Sequence, residues 1–121
     1  MTAWSEQELA SIEGAYEIRV AGRRNDGSLR SLTPVWHVVV DGAPYVRSMY
    51  GTQGQWYKGV AHHFEGAIEY GGPVREVAFV RDSSHDDAID EALYAKYGRT
   101  RYTDGVTNEL SKQATLRIEP R

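Results

Sequence analysis

The run Pro34-Val-Trp-His-Val-Val-Val40, then Asp41-Gly42, then Tyr45-Val-Arg-Ser-Met-Tyr50 constrains the fold more than any other part of the chain. β-Branched and aromatic residues suit a pleated surface, and Asp-Gly between two such runs is a strong two-residue hairpin signal. With residues 41 and 42 as the turn, Trp36 lies opposite Arg47, His37 opposite Val46, Val38 opposite Tyr45 and Val35 opposite Ser48. One face then carries Val35, His37, Val39, Val46 and Ser48 and reads as core. The other carries Trp36, Val38, Val40, Tyr45 and Arg47 and needs a cover.

Around this hairpin the chain alternates short elements. Ser5 and Glu8 have capping-box spacing and Trp4 with Leu9 forms a hydrophobic staple, which predicts a helix from about Glu6 to Glu13. Tyr16, Ile18 and Val20 alternate as a first strand ending near Gly22, and Arg23-Arg24-Asn25-Asp26-Gly27 turns the chain. A short helix is expected over Gln55–His63, a strand over Ala67–Tyr70, a turn at Gly71-Gly72-Pro73 and a strand over Val74–Arg81. Ser84 with Asp87 predicts a cap for the longest helix, Asp86–Tyr97, which stops at Gly98. A basic loop over Arg99–Asn108 precedes a last strand at Ala114–Ile118. This order is antiparallel α+β, and five or six strands of such length close most economically into a small barrel, which removes exposed edges.

The length predicts a single domain, 1–121, and the 40% hydrophobic and 26% charged residues are those of an ordinary folded protein. A net charge of -3 argues against sequence-independent binding to nucleic acid. The absence of cysteine excludes disulfides, thiolate metal sites and cysteine nucleophiles. The start MTAWSEQELA lacks a basic segment and apolar run, and no apolar stretch approaches the roughly 20 residues of a membrane span, so a cytoplasmic protein without membrane contact is expected. Eight tyrosines and three tryptophans against two phenylalanines favour rings with a polar handle, suited to a half-wet groove.

The segment beyond the hairpin is rich in anion donors. Arg47, Ser48, the amides around Gly51-Thr52-Gln53-Gly54, and Lys58 fall close together, a donor set suited to a phosphate or carboxylate. The plain alternative is a solvated turn. Arg23, Arg24 and Arg30 read either as an exposed loop or as a second lip of the same groove. The four histidines lack metal-ligand spacing, so no metal site is expected, and His37 on an apolar strand face reads as a core histidine. Asp86, Asp87, Asp90 and Glu91 suit the first turns of a helix. Nothing brings Glu65, Glu69 and Glu76 together, and there is no G-x-S-x-G.

Residues 22 to 58, GRRNDGSLRSLTPVWHVVVDGAPYVRSMYG followed by WYK, resemble the core pattern of the deazaflavin-dependent nitroreductases. Beyond the second hairpin strand the loop is shorter here, Tyr50 enters it, and Lys58-Gly59 follows the Trp-Tyr. Nearly the whole chain is similar to a small uncharacterised bacterial family, a domain of unknown function. The shared features are the Pro-Val-Trp strand, the Tyr-Val-Arg-Ser strand, the Trp-Tyr, a Tyr-Gly helix end and a closing Ala-Thr-Leu-Arg.

The resemblance implies an FMN-binding split-barrel-like fold of the flavin-reductase and pyridoxamine-phosphate-oxidase type, with short peripheral helices, usually a homodimer with its cofactor at the interface. It implies that Arg47, Ser48, Gly51 and Thr52 grip a cofactor phosphate, with Lys58 and Arg30 as further cations, and that Trp36 lies along the ring system. The expected ligand is FMN or the deazaflavin coenzyme, with reduction of a small molecule as the activity and Trp56 beside the groove. The rivals are a cofactor-free enzyme acting on an anionic organic substrate, with Tyr50, His37 or Glu65 moving protons, and a non-catalytic dimeric ligand-binding module.

Overall fold

The computed structural model describes residues 3–72 and 74–121. Met1, Thr2 and Pro73, at the chain start and in the expected Gly-Gly-Pro turn, lie outside the described residues. Seven strands form one antiparallel sheet: β1 (Ile18–Gly22), β2 (Thr33–Val35), β3 (His37–Val40), β4 (Ala43–Arg47), β5 (Glu65–Glu69), β6 (Arg75–Arg81) and β7 (Thr115–Pro120). The helices are α1 (Glu6–Gly14), α2 (Gln55–Ala61), α3 (Asp86–Tyr97) and two single turns, α4 (Arg101–Asp104) and α5 (Glu109–Lys112); a 3-10 turn covers Gly51–Gln53. Among the described residues no helix is long and apolar enough to cross a membrane.

The strand order is β2-β1-β5-β6-β7-β4-β3. Its two edge strands are consecutive in the chain, separated only by Trp36, so residues 33–40 cross from one sheet edge to the other and nearly close the barrel. This crossing causes a departure from the expected hairpin. The β3–β4 register holds from His37↔Val46 to Val40↔Ala43, and Asp41 and Gly42 both take positive φ as a two-residue hairpin turn requires. Below His37, however, the chain changes partner: Val35 pairs with Ile18 rather than lying opposite Ser48, and Trp36 belongs to neither strand.

The barrel interior holds Ile18, Val20, Val35, Val46, Ile68, Val77, Phe79, Leu116 and Ile118, alternate residues of their strands. The capping box of α1 forms as expected, and Trp4 plugs the barrel, its indole N–H donating to the Ile118 carbonyl at 2.9 Å. The second hairpin face acquires its cover from within the chain. Val38, Ala43 and Tyr45 pack under Ile89 and Leu93 of α3, with Val106.

Three local expectations differ. The first strand starts at Ile18, leaving Tyr16 exposed. Ser84 does not cap α3, because Asp82 takes both its N–H (2.8 Å) and its hydroxyl (2.6 Å), and His85 occupies the N-cap position. The Arg99–Asn108 loop contains α4, fixed by a Thr100–Thr103 capping box that the basic residues around it obscure.

Candidate functional site

Arg47 ends β4 with its side chain only 1% exposed. Its Nε donates to Thr115 Oγ1 at 2.9 Å, its Nη1 to Asp90 Oδ1 at 2.5 Å and to the Val106 carbonyl at 2.9 Å, and its Nη2 to Asp86 Oδ1 at 3.2 Å. Lys112 adds a second cation to Asp90 at 3.2 Å. The guanidinium therefore ties α3 and the segment before α5 onto the barrel, and its charge is balanced by two carboxylates.

The loop beyond it is packed with similar closeness. Ser48 is buried against Gly54, where a Cβ would lie 2.1 Å from the Ser48 Oγ. Gly51, at φ +65°, sits where a Cβ would lie 2.8 Å from Leu110 of α5, so both its backbone angle and its surroundings require glycine. Thr52 faces elsewhere, onto a polar cleft of about 790 Å³ shared with Asp82, Asp86 and Lys112. Arg47, Ser48, Gly51 and Thr52 thus adjoin in sequence without converging on one open space.

Two other clefts do combine the predicted residues, and they share Trp56 as a wall. One, of about 490 Å³, is aromatic and lined by Tyr16, Glu17, Trp36, Met49, Trp56 and Tyr102, with Arg47 at its base. Trp36 is held there by stacking on Tyr97 (centroids 4.0 Å apart, planes 5° apart), with Tyr16 edge-on at 6.2 Å. The Tyr97 hydroxyl accepts from the His37 N–H at 3.1 Å and donates to the Tyr16 carbonyl at 2.7 Å, which fixes this corner. Burial pushes the Tyr97 phenol up to about 12, so it stays protonated.

The other cleft, of about 470 Å³, is lined by Arg24, Arg30, Ser31, Lys58 and His62, and among the described residues no carboxylate lines it. Arg30 crosses Gly59 of α2, where a Cβ would lie 2.8 Å from its Cδ. Its Nε is buried without a hydrogen-bond partner, and among the described residues the side chain makes no ion pair. Arg30 Nε is thus a buried donor without a partner, on a half-buried side chain beside Lys58 and Arg24. Five of the residues expected from the sequence, Arg30, Lys58, Trp36, Trp56 and Arg47, therefore line the two adjoining clefts, Arg47 with its charge already paired.

The residues considered for proton transfer are placed otherwise. His37 is fully buried, with Nε2 bonded to the Ile12 carbonyl and Nδ1 unpartnered; burial lowers its pKa to about 4, helped by Lys96, so it is neutral. Tyr50 is 69% exposed, and Glu65 pairs with Arg121 at 2.5 Å. Glu69 and Glu76 are held by Arg19 and Arg23, so the three strand glutamates stay apart. Tyr45 bonds Asp82 at 3.1 Å, and burial with that carboxylate raises its phenol to about 12.

Tyr16, Glu17, Met49 and Tyr102 join the site without having been expected from the sequence. Tyr102 alone carries a signal there, as an aromatic residue isolated in a polar loop.

The nearly closed antiparallel barrel is the split-barrel, flavin-binding-like fold, found in solved structures over almost the full chain. It matches a protein described as FAD-binding from Mesorhizobium loti with TM-score 0.59 at 17% identity, covering 98% of this chain and 91% of that one. A conserved hypothetical protein from Mycobacterium tuberculosis matches with TM-score 0.60 at 14% identity, over 99% and 81%. A protein described as F420 reductase matches with TM-score 0.53 at 19% identity, over 98% and 94%. The chain belongs to the family described as "Uncharacterized protein conserved in bacteria (DUF2255)", whose pattern spans residues 8–118. No curated protein matches it in sequence.

Proposed function

We propose that this protein binds a flavin-type nucleotide, FMN or the deazaflavin coenzyme, with the phosphate in the Arg30–Lys58 cleft and the ring system reaching past Trp56 toward Trp36. The observation that carries the reading is the half-buried Arg30, whose Nε has no hydrogen-bond partner and whose side chain makes no ion pair among the described residues; it sits over Gly59 one wall away from an aromatic cleft. A dianionic phosphate satisfies Arg30 and Lys58, and the tryptophan faces accept a planar ring. The likeness to proteins described as FAD-binding and as F420 reductase supports a ligand of this class.

When bound, such a ring supplies hydride-transfer chemistry, so the activity that fits is the reduction of a small molecule. The chain's own residues bind and orient: Arg30, Lys58 and Arg24 hold the anionic end, Trp56 separates the two clefts, and the Trp36–Tyr97–Tyr16 corner fixes the depth of the aromatic one. Tyr16 and Tyr102 are exposed at the aromatic cleft, and a second copy of the chain covering them completes the site in a homodimer. Titration of purified protein with FMN and with the deazaflavin coenzyme, followed by ligand fluorescence, tests the reading. Saturable binding of either, weakened by Lys58→Ala, is expected, and absence of binding by both overturns it.

A further inference from the structure

The two clefts that share Trp56 have opposite electrostatic character. In the first, Arg24, Arg30 and Lys58 meet no carboxylate among the described residues. In the second, the only cation among the described lining residues is Arg47, and Asp86 and Asp90 already balance it. Glu17 is exposed at that second cleft and makes no ion pair among the described residues, so the uncompensated charge among its lining residues is negative; the Arg101 guanidinium lies outside the lining, 5.7 Å from the Tyr102 ring centroid. Tyr16, Trp36, Trp56 and Tyr102 surround the same space, and the Tyr16–Trp36–Tyr97 stacking with the Tyr97 hydrogen bonds holds two of these four rings in advance. Ring faces carry negative quadrupole potential, and a carboxylate beside them adds to it.

We infer that the aromatic cleft takes an organic cation, an alkylated ammonium or a cationic nitrogen ring, with Glu17 opposite its charge and the rings around its apolar groups. This rests on the flavin-type reading in assigning the cation as the molecule that shares the site with the nucleotide ring. The charge separation across Trp56 keeps the two apart: a phosphate is drawn to Arg30 and disfavoured beside Glu17, and the reverse holds for an ammonium.

Nucleotide-free protein is titrated with choline, with its uncharged isostere 3,3-dimethylbutan-1-ol, and with the anion pivalate, following tryptophan fluorescence. Trp36 and Trp56 both line the cleft, while Trp4 is buried at the barrel end. Choline is expected to bind about tenfold or more tightly than the alcohol, and pivalate more weakly than either. Glu17→Gln, a change at an exposed side chain, is expected to reduce the choline preference to about threefold or less while leaving the alcohol's affinity unchanged. Tyr102→Leu should weaken choline more than the alcohol. Equal binding of choline and the alcohol, an unchanged preference in Glu17→Gln, preferred binding of pivalate, or no choline binding overturns the inference. The parallel FMN titration fails or succeeds independently: loss of FMN binding with Glu17-dependent choline binding retained removes the nucleotide reading alone.

Discussion

Arg47 and Arg30 have the same side chain, both lie near tryptophans, and both were candidates for holding an anion. Their surroundings make them opposites. Arg47 is enclosed by Asp86, Asp90, Thr115 and the Val106 carbonyl, and serves as the fastening between α3 and the barrel. Arg30 has a buried Nε without a partner and lies along a cleft without an acid among the described residues. A cation's use is decided by which carboxylates the fold brings to it. A fastening arginine should be costly to remove and silent in binding, whereas a seating arginine should behave the other way.

The largest effect is expected at the fastening. Arg47→Met leaves Asp86 and Asp90 without their buried partner and should cost about 3 kcal/mol or more in urea denaturation, whereas Arg30→Met should change stability by less than about 1 kcal/mol. Equal losses in the two variants would erase the distinction. Next comes the pH response at His37, beside the fastened helix. Its folded pKa of about 4 lies below the ordinary 6.5, so the unfolded chain binds the extra proton between those values. Stability from this group is complete above about pH 6.5 and is lost as pH falls toward 4, in total about 3 kcal/mol. His37→Gln should flatten that part of the pH–stability curve relative to wild type, and an unchanged slope would contradict the burial account.

At the proposed seat the expected effects are in binding. Arg30→Met should weaken FMN by about tenfold to a hundredfold, the scale of one charge-assisted contact. Smallest is Gly59→Ala, whose methyl would press on the Arg30 Cδ and displace a flexible side chain; a loss of about threefold in FMN affinity with no loss of stability is expected, measured by titration and thermal melting. A Gly59→Ala variant that binds FMN as well as wild type would show that Arg30 does not need its path over the helix.

Much of the frame was legible in the sequence because its signals are local. The Asp41-Gly42 turn set the β3–β4 register, Ser5 and Glu8 marked the start of α1, and strand alternation marked the barrel interior. The partner change at Trp36 was not legible, since β2 and β3 pair with strands far apart in the chain and a continuous apolar run carries no sign of which edge it joins. The same limit applied to the site. Arg47 and Ser48 looked like anion donors because Asp86 and Asp90, which enclose Arg47, come from a helix about forty residues away whose acids read as dipole partners. Trp36, Trp56, Lys58 and Arg30 were singled out by residue type and line the two clefts, as Arg47 does, but Glu17 and Tyr16 became part of the lining only when the chain folded.

Whether an anion seats at Arg30 while Arg47 stays structural is tested most directly by a crystal structure of the protein grown with FMN, read at the phosphorus position. Phosphate oxygens are expected within about 3 Å of the Arg30 and Lys58 nitrogens, with the Arg47–Asp90 pair intact. A phosphate seated instead on the Ser48–Thr52 loop, with Arg47 turned away from Asp90 to meet it, would contradict this assignment.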